Sequence, residues 1–359
     1  MRPSKQIVFL FTLVLIGGFC AVTGAAQDNA APPHQKDSSI IANDGTAYVT
    51  RIVPVPRTIS SEAQHLLANP EVEKTLPSGL AKWRLYYDAL QVTAAKSLHA
   101  DHSAEVETGS LGGVPVKYIT PASVPEGHRD RVLINLHGGG GTSDTGSITE
   151  SAPLALRSHT KVIAVLYRLA PEHPFPAGLD DAVAVYREVL KTYQPSDVGI
   201  FGTSSGAVLT AEVAVKLKQL GLPMPGALGI FSGTGDFSRN GDSQALFTQH
   251  GLTGNLSVPE APKQGSESYL GNASLKDPVV SPIYADLRGF PPTLFVTSTR
   301  DMLLSGTTIL HRAFLRAGVD ARLVVFEALW HAFWEDASLP ESQEAIGFMA
   351  QFFETQLGR

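Results

Sequence analysis

The chain has 359 residues, of which 43% are hydrophobic and 17% are charged. This balance is typical of a globular protein with a sizeable core, and it excludes a disordered or coiled-coil chain. The formal net charge is −6 and there is no run of basic residues, so we expect no nucleic-acid partner, because phosphate binding requires clustered Lys and Arg side chains.

The first 26 residues have the pattern of a secretory signal peptide. Arg2 and Lys5 give a positive start, residues 7–19 form an almost unbroken apolar run, and small residues lead to Ala25 and Ala26. We expect cleavage near these two alanines and export to the periplasm or the extracellular medium. The alternative is a retained anchor, but the run is shorter than the roughly 20 residues that a spanning helix needs. After removal of the signal we expect no stable membrane span.

Two segments with different textures follow. Residues 27–45 are polar and lack a period, which predicts a linker. Residues 46–104 are predicted to form an N-terminal helical cap segment, with helices over 59–68 and 78–99. The second helix carries Trp83, Tyr86 and Tyr87 near helical spacing. These aromatic side chains are candidates for an acyl pocket, and the alternative is that they pack the core beneath their own helix.

Residues 105–359 alternate between short apolar runs and helical patterns, which predicts one α/β domain. The apolar runs lack polar alternation, as expected for strands of a mostly parallel sheet that is covered by helices on both faces. The alternation lapses over residues 233–288, where we predict a cap-like insertion. Strands are predicted over 131–136, 162–167, 198–201, 227–231, 293–297 and 322–326, and helices over 177–193, 205–220, 303–317 and 341–353.

A glycine-rich loop follows the first of these predicted strands. It reads His137-Gly138-Gly139-Gly140. Acyl transfer builds negative charge on a carbonyl oxygen, and backbone N–H groups placed beforehand stabilise that charge. Glycine lets the backbone approach a substrate closely. We therefore expect Gly138 and Gly139 to donate to an oxyanion. The alternatives are a flexible turn or a phosphate loop, and the latter would require a lysine that is missing here.

The third predicted strand runs directly into the sequence Gly202-Thr203-Ser204-Ser205-Gly206. This pattern predicts a nucleophile elbow, a tight strand-to-helix turn that exposes a serine at the end of the sheet. Small residues beside the serine allow the chain to reverse. We expect Ser204 to be the nucleophile and the Ser205 N–H to be a further oxyanion donor.

An acid and a base follow the serine in the order that the elbow requires. Asp301 lies just after the predicted strand 293–297, and His331 lies just after 322–326. Serine needs a neighbouring base to take its proton, and the base needs a carboxylate that fixes its tautomer. We expect His331 and Asp301 in these roles. Glu327 remains an alternative to Asp301, and Asp320 and Asp336 are weaker ones.

These motifs resemble those of the hormone-sensitive-lipase-like family of α/β-hydrolase esterases. The likeness extends from about residue 131 to the C-terminus, and its most specific part is the run Tyr167-Arg168-Leu169-Ala170-Pro171-Glu172-His173-Pro174-Phe175-Pro176-Ala177. The resemblance implies an α/β-hydrolase fold and a carboxylesterase that acts on short or medium acyl esters. It also implies a cap built from the N-terminal helices and the 233–288 insertion.

The sequence departs from the family pattern beside the expected pocket. Thr203 and Ser205 flank the nucleophile where Asp and Ala are common, and Gly141 stands where a bulky residue often follows the three glycines. Trp330 precedes the base His331. We expect Gly141 and Trp330 to contact the substrate, so these departures bear on substrate preference.

The sequence thus predicts a serine carboxylesterase with a small-molecule ester substrate and without metal or organic cofactor. A lactonase or an amidase on the same triad is an alternative, and a hydrolase-fold binding protein without catalysis is another. The sequence leaves a homodimer open.

Overall fold

Ten strands and eight α-helices make up the computed structural model, which describes residues 36–70, 79–253 and 268–358. The predicted signal peptide over residues 1–26 lies outside them. The strands are β1 (Ser38–Ile41), β2 (Ala47–Thr50), β3 (Ala104–Leu111), β4 (Val114–Pro121), β5 (Val132–Leu136), β6 (Lys161–Val165), β7 (Val198–Thr203), β8 (Ala227–Phe231), β9 (Thr293–Ser298) and β10 (Ala321–Phe326). The helices are α1 (Ser61–Ala68), α2 (Leu80–Ala100), α3 (Ser151–Ser158), α4 (Ala177–Val189), α5 (Ser205–Gln219), α6 (Asp242–Leu246), α7 (Leu304–Arg316) and α8 (Pro340–Gln356).

An eight-stranded sheet positions everything else. Its strand order is β10-β9-β8-β7-β5-β6-β4-β3. The six neighbouring strands β10, β9, β8, β7, β5 and β6 pair in parallel. Strand β4 pairs antiparallel with β6 and with β3. The predicted mostly parallel α/β fold is therefore confirmed. The carboxyl ends of parallel strands meet at one edge of such a sheet, where functional groups gather.

Helices cover both faces of the sheet, which explains its continuous apolar strands. Every residue of β5, β7, β8 and β9 is buried. Neighbouring residues on a strand point to opposite faces, so Ile134 joins the core formed with α4, α5 and α7, whereas Leu133 joins the core formed with α3 and α8. The sheet is thus fixed from both sides.

The N-terminal region differs from its prediction. The linker predicted over 27–45 is wrong for Ser38–Ile41, which pairs antiparallel with Ala47–Thr50, inside the segment for which only helices were predicted. The two predicted cap helices do form, as α1 and α2. Ser60 caps α1 by accepting a hydrogen bond from the Ala63 N–H at 3.0 Å. Its own N–H and hydroxyl donate to Glu341 at 2.6 and 2.8 Å, which ties α1 to α8.

Four elements of the main domain were not predicted. The antiparallel strands β3 and β4 extend the sheet, α3 follows the glycine loop, and the short helix α6 lies in the 233–288 insertion. Across the three described ranges, no helix has both the length and the apolar character needed to cross a membrane.

A buried carboxyl in α5 makes the stability of this fold depend on pH. Glu212 is fully buried, and its Oε2 accepts a hydrogen bond from the Tyr269 hydroxyl at 2.5 Å. Within the described ranges its Oε1 has no partner. Burial raises the pKa of Glu212 from 4.5 to about 8, although the Tyr269 hydrogen bond opposes the rise. The folded state therefore binds this proton more tightly than the unfolded chain. The resulting stability is present below about pH 4.5 and is lost as the pH rises through about 8.

Replacing Glu212 with glutamine is expected to flatten the pH dependence of stability. Between about pH 5 and pH 9 the free energy of unfolding of the parent protein should fall by a few kcal/mol, because each unit of pKa shift corresponds to about 1.4 kcal/mol. The amide does not titrate, so the variant should lose this part of the slope. Urea unfolding at several pH values measures the pH dependence of the free energy of unfolding, with Glu344→Gln at an exposed position as the matched control. Equal slopes in Glu212→Gln and the parent would show that Glu212 is ionised throughout.

Candidate active site

Ser204 lies on a tight turn between β7 and α5, with φ 58° and ψ −120°. The two glycines of the motif make this turn feasible. A Cβ on Gly206 would overlap the Leu136 carbonyl oxygen, and a Cβ on Gly202 would overlap Leu136 and Gly206 backbone atoms. The Ser204 N–H donates to the Phe231 carbonyl at 2.9 Å, which anchors the turn to β8. The backbone of the elbow passes so close to Leu136 that both positions, 202 and 206, require glycine.

His331 and Asp301 meet at the same edge of the sheet, after β10 and β9. The Nδ1 of His331 lies 2.8 Å from the Oδ1 of Asp301. The Nε2 of His331 is buried and has no hydrogen-bond partner among the described residues. Ser204 and His331 line the same cleft. A general base for a serine requires an imidazole whose Nδ1 is bound by a carboxylate and whose Nε2 is free to accept a proton.

The carboxylate of Asp301 is fully buried and accepts hydrogen bonds on both oxygens. Its Oδ2 accepts from the Thr297 hydroxyl at 2.7 Å and from the Ser232 hydroxyl, and its Oδ1 accepts from the Leu303 N–H at 2.8 Å. Burial by itself would raise the pKa of Asp301, but His331 and these donors outweigh it and hold the pKa below its usual range. Asp301 is therefore ionised at neutral pH.

The rival carboxylates lie elsewhere. Glu327 is exposed, and its Oε2 accepts a hydrogen bond from the Thr299 hydroxyl at 3.3 Å. Asp320 pairs with Arg322 on the surface, and Asp336 accepts from Ser338. Of the candidates that the sequence left open, the structure brings Asp301 to His331.

The glycine loop places its donors one residue later than predicted. The Gly138 N–H donates to the buried Glu150 carboxylate at 2.9 Å, so the prediction of Gly138 as an oxyanion donor is wrong. The N–H groups of Gly139, Gly140 and Ser205 find no acceptor in the described part of the chain. Gly139 has φ 114°, and a Cβ there would overlap the Ser143 carbonyl oxygen. The available donors are therefore those of Gly139, Gly140 and Ser205.

A pair of carboxyl groups lies behind this loop. Burial raises the pKa of Glu150 to about 7, against the opposing hydrogen bonds from Gly138 and Asn135. Glu335 faces Glu150 and is exposed to the cleft. The enclosing walls of the cleft and the neighbouring Glu150 carboxyl raise the pKa of Glu335 above its usual range. Two facing carboxylates repel each other, so the pair retains a proton near neutral pH.

Proteins of known structure have folds similar to that of this chain. A family described as the α/β hydrolase fold matches residues 133–335 of the chain. The crystal structure of an esterase from the bacterial hormone-sensitive lipase family is similar with a TM-score of 0.71 and 30% sequence identity. The likeness covers 83% of this chain and 99% of that one. This chain belongs to the hormone-sensitive-lipase-like family of α/β-hydrolases.

Two further proteins show how far the likeness extends. A second esterase crystal structure is similar to this α/β-hydrolase with a TM-score of 0.72 and 30% identity, over 86% of this chain and 98% of the other. An acetyl-hydrolase of Streptomyces hygroscopicus is 31% identical over 266 residues, which are 71% of this chain and 88% of that protein. The resemblance seen in the sequence is confirmed.

The cleft of this α/β-hydrolase has a volume of about 1200 Å³ and is walled by α1, α2, the glycine loop and the 233–288 insertion. Trp83, Tyr86, Tyr87 and Trp330 line it, as predicted for substrate contacts. Gly141 does not. It packs against the ring of Tyr269, so closely that a Cβ would lie 2.6 Å from a ring carbon. The predicted contact of Gly141 with substrate is therefore wrong.

The family-specific run over residues 167–177 packs against the start of the glycine loop. The Tyr167 ring stacks on His137 at 4.3 Å, and its hydroxyl donates to the His137 carbonyl at 2.7 Å. Arg168 forms an ion pair with Asp181 of α4 at 2.8 Å. In this hydrolase the run thus positions the start of the glycine loop.

Sequence reasoning missed two residues that hold the site. Ser232 follows β8 at the same edge of the sheet as the other site residues, which was an available signal, and its hydroxyl donates to Asp301. Glu150 gave no signal, because nothing in the pattern shows that its side chain reaches Gly138. The described residues contain no group of three or more His, Cys, Asp and Glu side chains placed to hold a metal ion.

Proposed function

We propose that this α/β-hydrolase is a serine carboxylesterase that hydrolyses short- to medium-chain esters through an acyl-enzyme intermediate. The observation that carries the proposal is the buried, unpartnered Nε2 of His331 in the same cleft as Ser204, with Asp301 behind the imidazole. The esterases and the acetyl-hydrolase among its relatives support the same chemistry.

The reaction begins with attack of the Ser204 hydroxyl oxygen on the ester carbonyl carbon, while His331 Nε2 takes the hydroxyl proton. Asp301 stabilises the resulting imidazolium. The N–H groups of Gly139, Gly140 and Ser205 donate to the oxyanion. The carbon–oxygen bond to the alcohol then breaks, and His331 returns its proton to that alcohol.

Hydrolysis of the acyl-enzyme repeats these steps with water. His331 takes a proton from a water molecule, whose oxygen attacks the acyl carbon. The bond to Ser204 breaks, and its oxygen recovers the proton from His331. The carboxylic acid leaves, and no cofactor takes part.

A series of p-nitrophenyl esters from acetate to palmitate tests this function. We expect kcat/KM to be highest for the short and medium chains. A matched p-nitroanilide and a lactone test the amidase and lactonase alternatives. The proposal fails if none of the esters is hydrolysed while the anilide or the lactone is.

We further propose that the protein is exported after removal of residues 1–26. The positive residues Arg2 and Lys5, the apolar run and the small residues near Ala25 and Ala26 support this. N-terminal sequencing of the protein recovered outside the cytoplasm tests it, since an intact N-terminus would indicate a retained anchor. A homodimer stays a prediction, which light scattering of the purified protein measures.

A further inference from the structure

One face of the cap helix α2 contacts the loop that carries the oxyanion donors. Arg84 and Gln91 are seven residues apart, close to two helical turns, and therefore lie on the same side of α2. Trp83, Tyr86 and Tyr87 of the same helix line the substrate cleft. Thus α2 contacts both the cleft and the catalytic loop.

Arg84 binds the loop directly after its glycines. Its Nε donates to the Thr142 carbonyl at 2.7 Å, and its Nη2 donates to the Ala170 carbonyl at 2.7 Å. Both terminal nitrogens also bind the Glu172 carboxylate at 2.8 Å. The planar guanidinium thereby fixes three acceptors in one geometry, which a lysine ammonium cannot reproduce.

Gln91 binds the next part of the same loop. It is almost fully buried, and its Oε1 accepts from the N–H groups of Ile148 at 2.7 Å and Thr149 at 3.1 Å. Its Nε2 donates to the Thr145 carbonyl at 3.0 Å. Each polar atom of this amide thus binds the loop between the glycines and α3.

The loop requires such supports because glycine has more backbone freedom than any other residue. Gly139, Gly140 and Gly141 all have positive φ. Because glycine has no Cβ, these residues do not restrict the turn by themselves. Oxyanion donors lower a barrier only when they are fixed before the reaction, and a displacement of about 1 Å costs on the order of 100-fold in rate. On the far side the loop is held by Glu150, which binds Gly138.

We propose that Arg84 and Gln91 are positioning residues that hold the Gly139 and Gly140 N–H groups in the geometry for oxyanion stabilisation. The cap helix therefore aligns the catalytic loop in addition to lining the cleft. This inference rests on the proposed esterase function, because only an oxyanion gives these N–H groups a chemical role.

Kinetics of four variants test the proposal on a short ester, p-nitrophenyl acetate. Gln91→Met keeps the length of the side chain, and Arg84→Met keeps its apolar stem, while both remove the polar contacts with the loop. We expect kcat to fall roughly 10- to 100-fold with little change in KM, and Arg84→Lys to recover only part of the loss. Lys96→Met, on the exposed side of α2, is the matched control and should keep the parental kcat.

Inhibition by a trifluoromethyl ketone, which forms a tetrahedral oxyanion adduct on serine, gives a second readout. Its affinity should fall in proportion to kcat/KM across the variants. The proposal is overturned if folded Arg84→Met keeps the parental kcat, if the loss appears in KM alone, or if the inhibitor affinity is unchanged. Gln91→Met is more buried, so the half-buried Arg84 variants decide the matter if Gln91→Met does not fold. Failure of the esterase proposal is distinct, because the parent protein would then hydrolyse no ester.

Discussion

Replacing Ser204 with alanine is expected to abolish ester hydrolysis, with a fall in kcat of about 10⁴- to 10⁶-fold. The variant lacks the Ser204 hydroxyl, which lies in the same cleft as His331, so no acyl-enzyme can form. The change removes one hydroxyl at the edge of the sheet and leaves the backbone turn in place, so the fold should persist. Turnover of p-nitrophenyl acetate and labelling by a fluorophosphonate probe measure the loss.

The neighbouring serine provides a matched control. The Ser205 hydroxyl is buried near the Tyr167 hydroxyl, whereas its N–H is one of the expected oxyanion donors. Ser205→Ala removes the hydroxyl and keeps the N–H, so we expect near-parental turnover and labelling. A Ser204→Ala protein that retained most of its activity would refute the assignment of the nucleophile.

The positions of Ser204, Asp301 and His331 could be predicted because they depend on local patterns. Each residue follows an apolar run that becomes a parallel strand of the sheet, and such strands end at a shared edge. The two glycines around Ser204 report a crossing of backbones that only glycine permits. Here the chain order and the strand ends were sufficient.

The donors of the glycine loop could not be assigned in the same way. All three glycines look equivalent in sequence, and a side chain twelve residues further on decides which N–H is available. The Gly141 prediction failed for the same reason, because Tyr269 of the insertion occupies the space beside it. Such assignments depend on long-range packing, which no local pattern records.

The cap helix shows the same limit. Helical spacing predicted α2 and the aromatic residues that line the cleft, but it did not distinguish the side that binds the catalytic loop. The sequence pattern gave no signal for Arg84. Its importance follows from the Thr142 and Ala170 carbonyls, which α2 meets only in the folded chain.

Replacing Asp301 with asparagine is expected to lower kcat by about 10⁴-fold, the size of effect that loss of the triad carboxylate has in other serine hydrolases. The surroundings of Asp301 explain why an amide is a poor substitute. Both carboxylate oxygens accept hydrogen bonds, and Oδ1 faces the Leu303 N–H as well as His331. An amide NH₂ at that position would oppose the Leu303 donor and force His331 into the wrong tautomer. The opposite orientation would leave the imidazolium without its counter-charge.

Glu327→Gln is the matched control, because it makes the same chemical change in the carboxylate that the sequence left as the alternative. Glu327 is exposed and binds Thr299, so we expect near-parental kcat for this variant. Both variants should be assayed near neutral pH, where the lowered pKa of Asp301 keeps the parental carboxylate ionised. A large loss in Glu327→Gln with a small one in Asp301→Asn would reverse the assignment. Comparable losses in both would mean that the His331 proton depends on more than the buried contact at 2.8 Å.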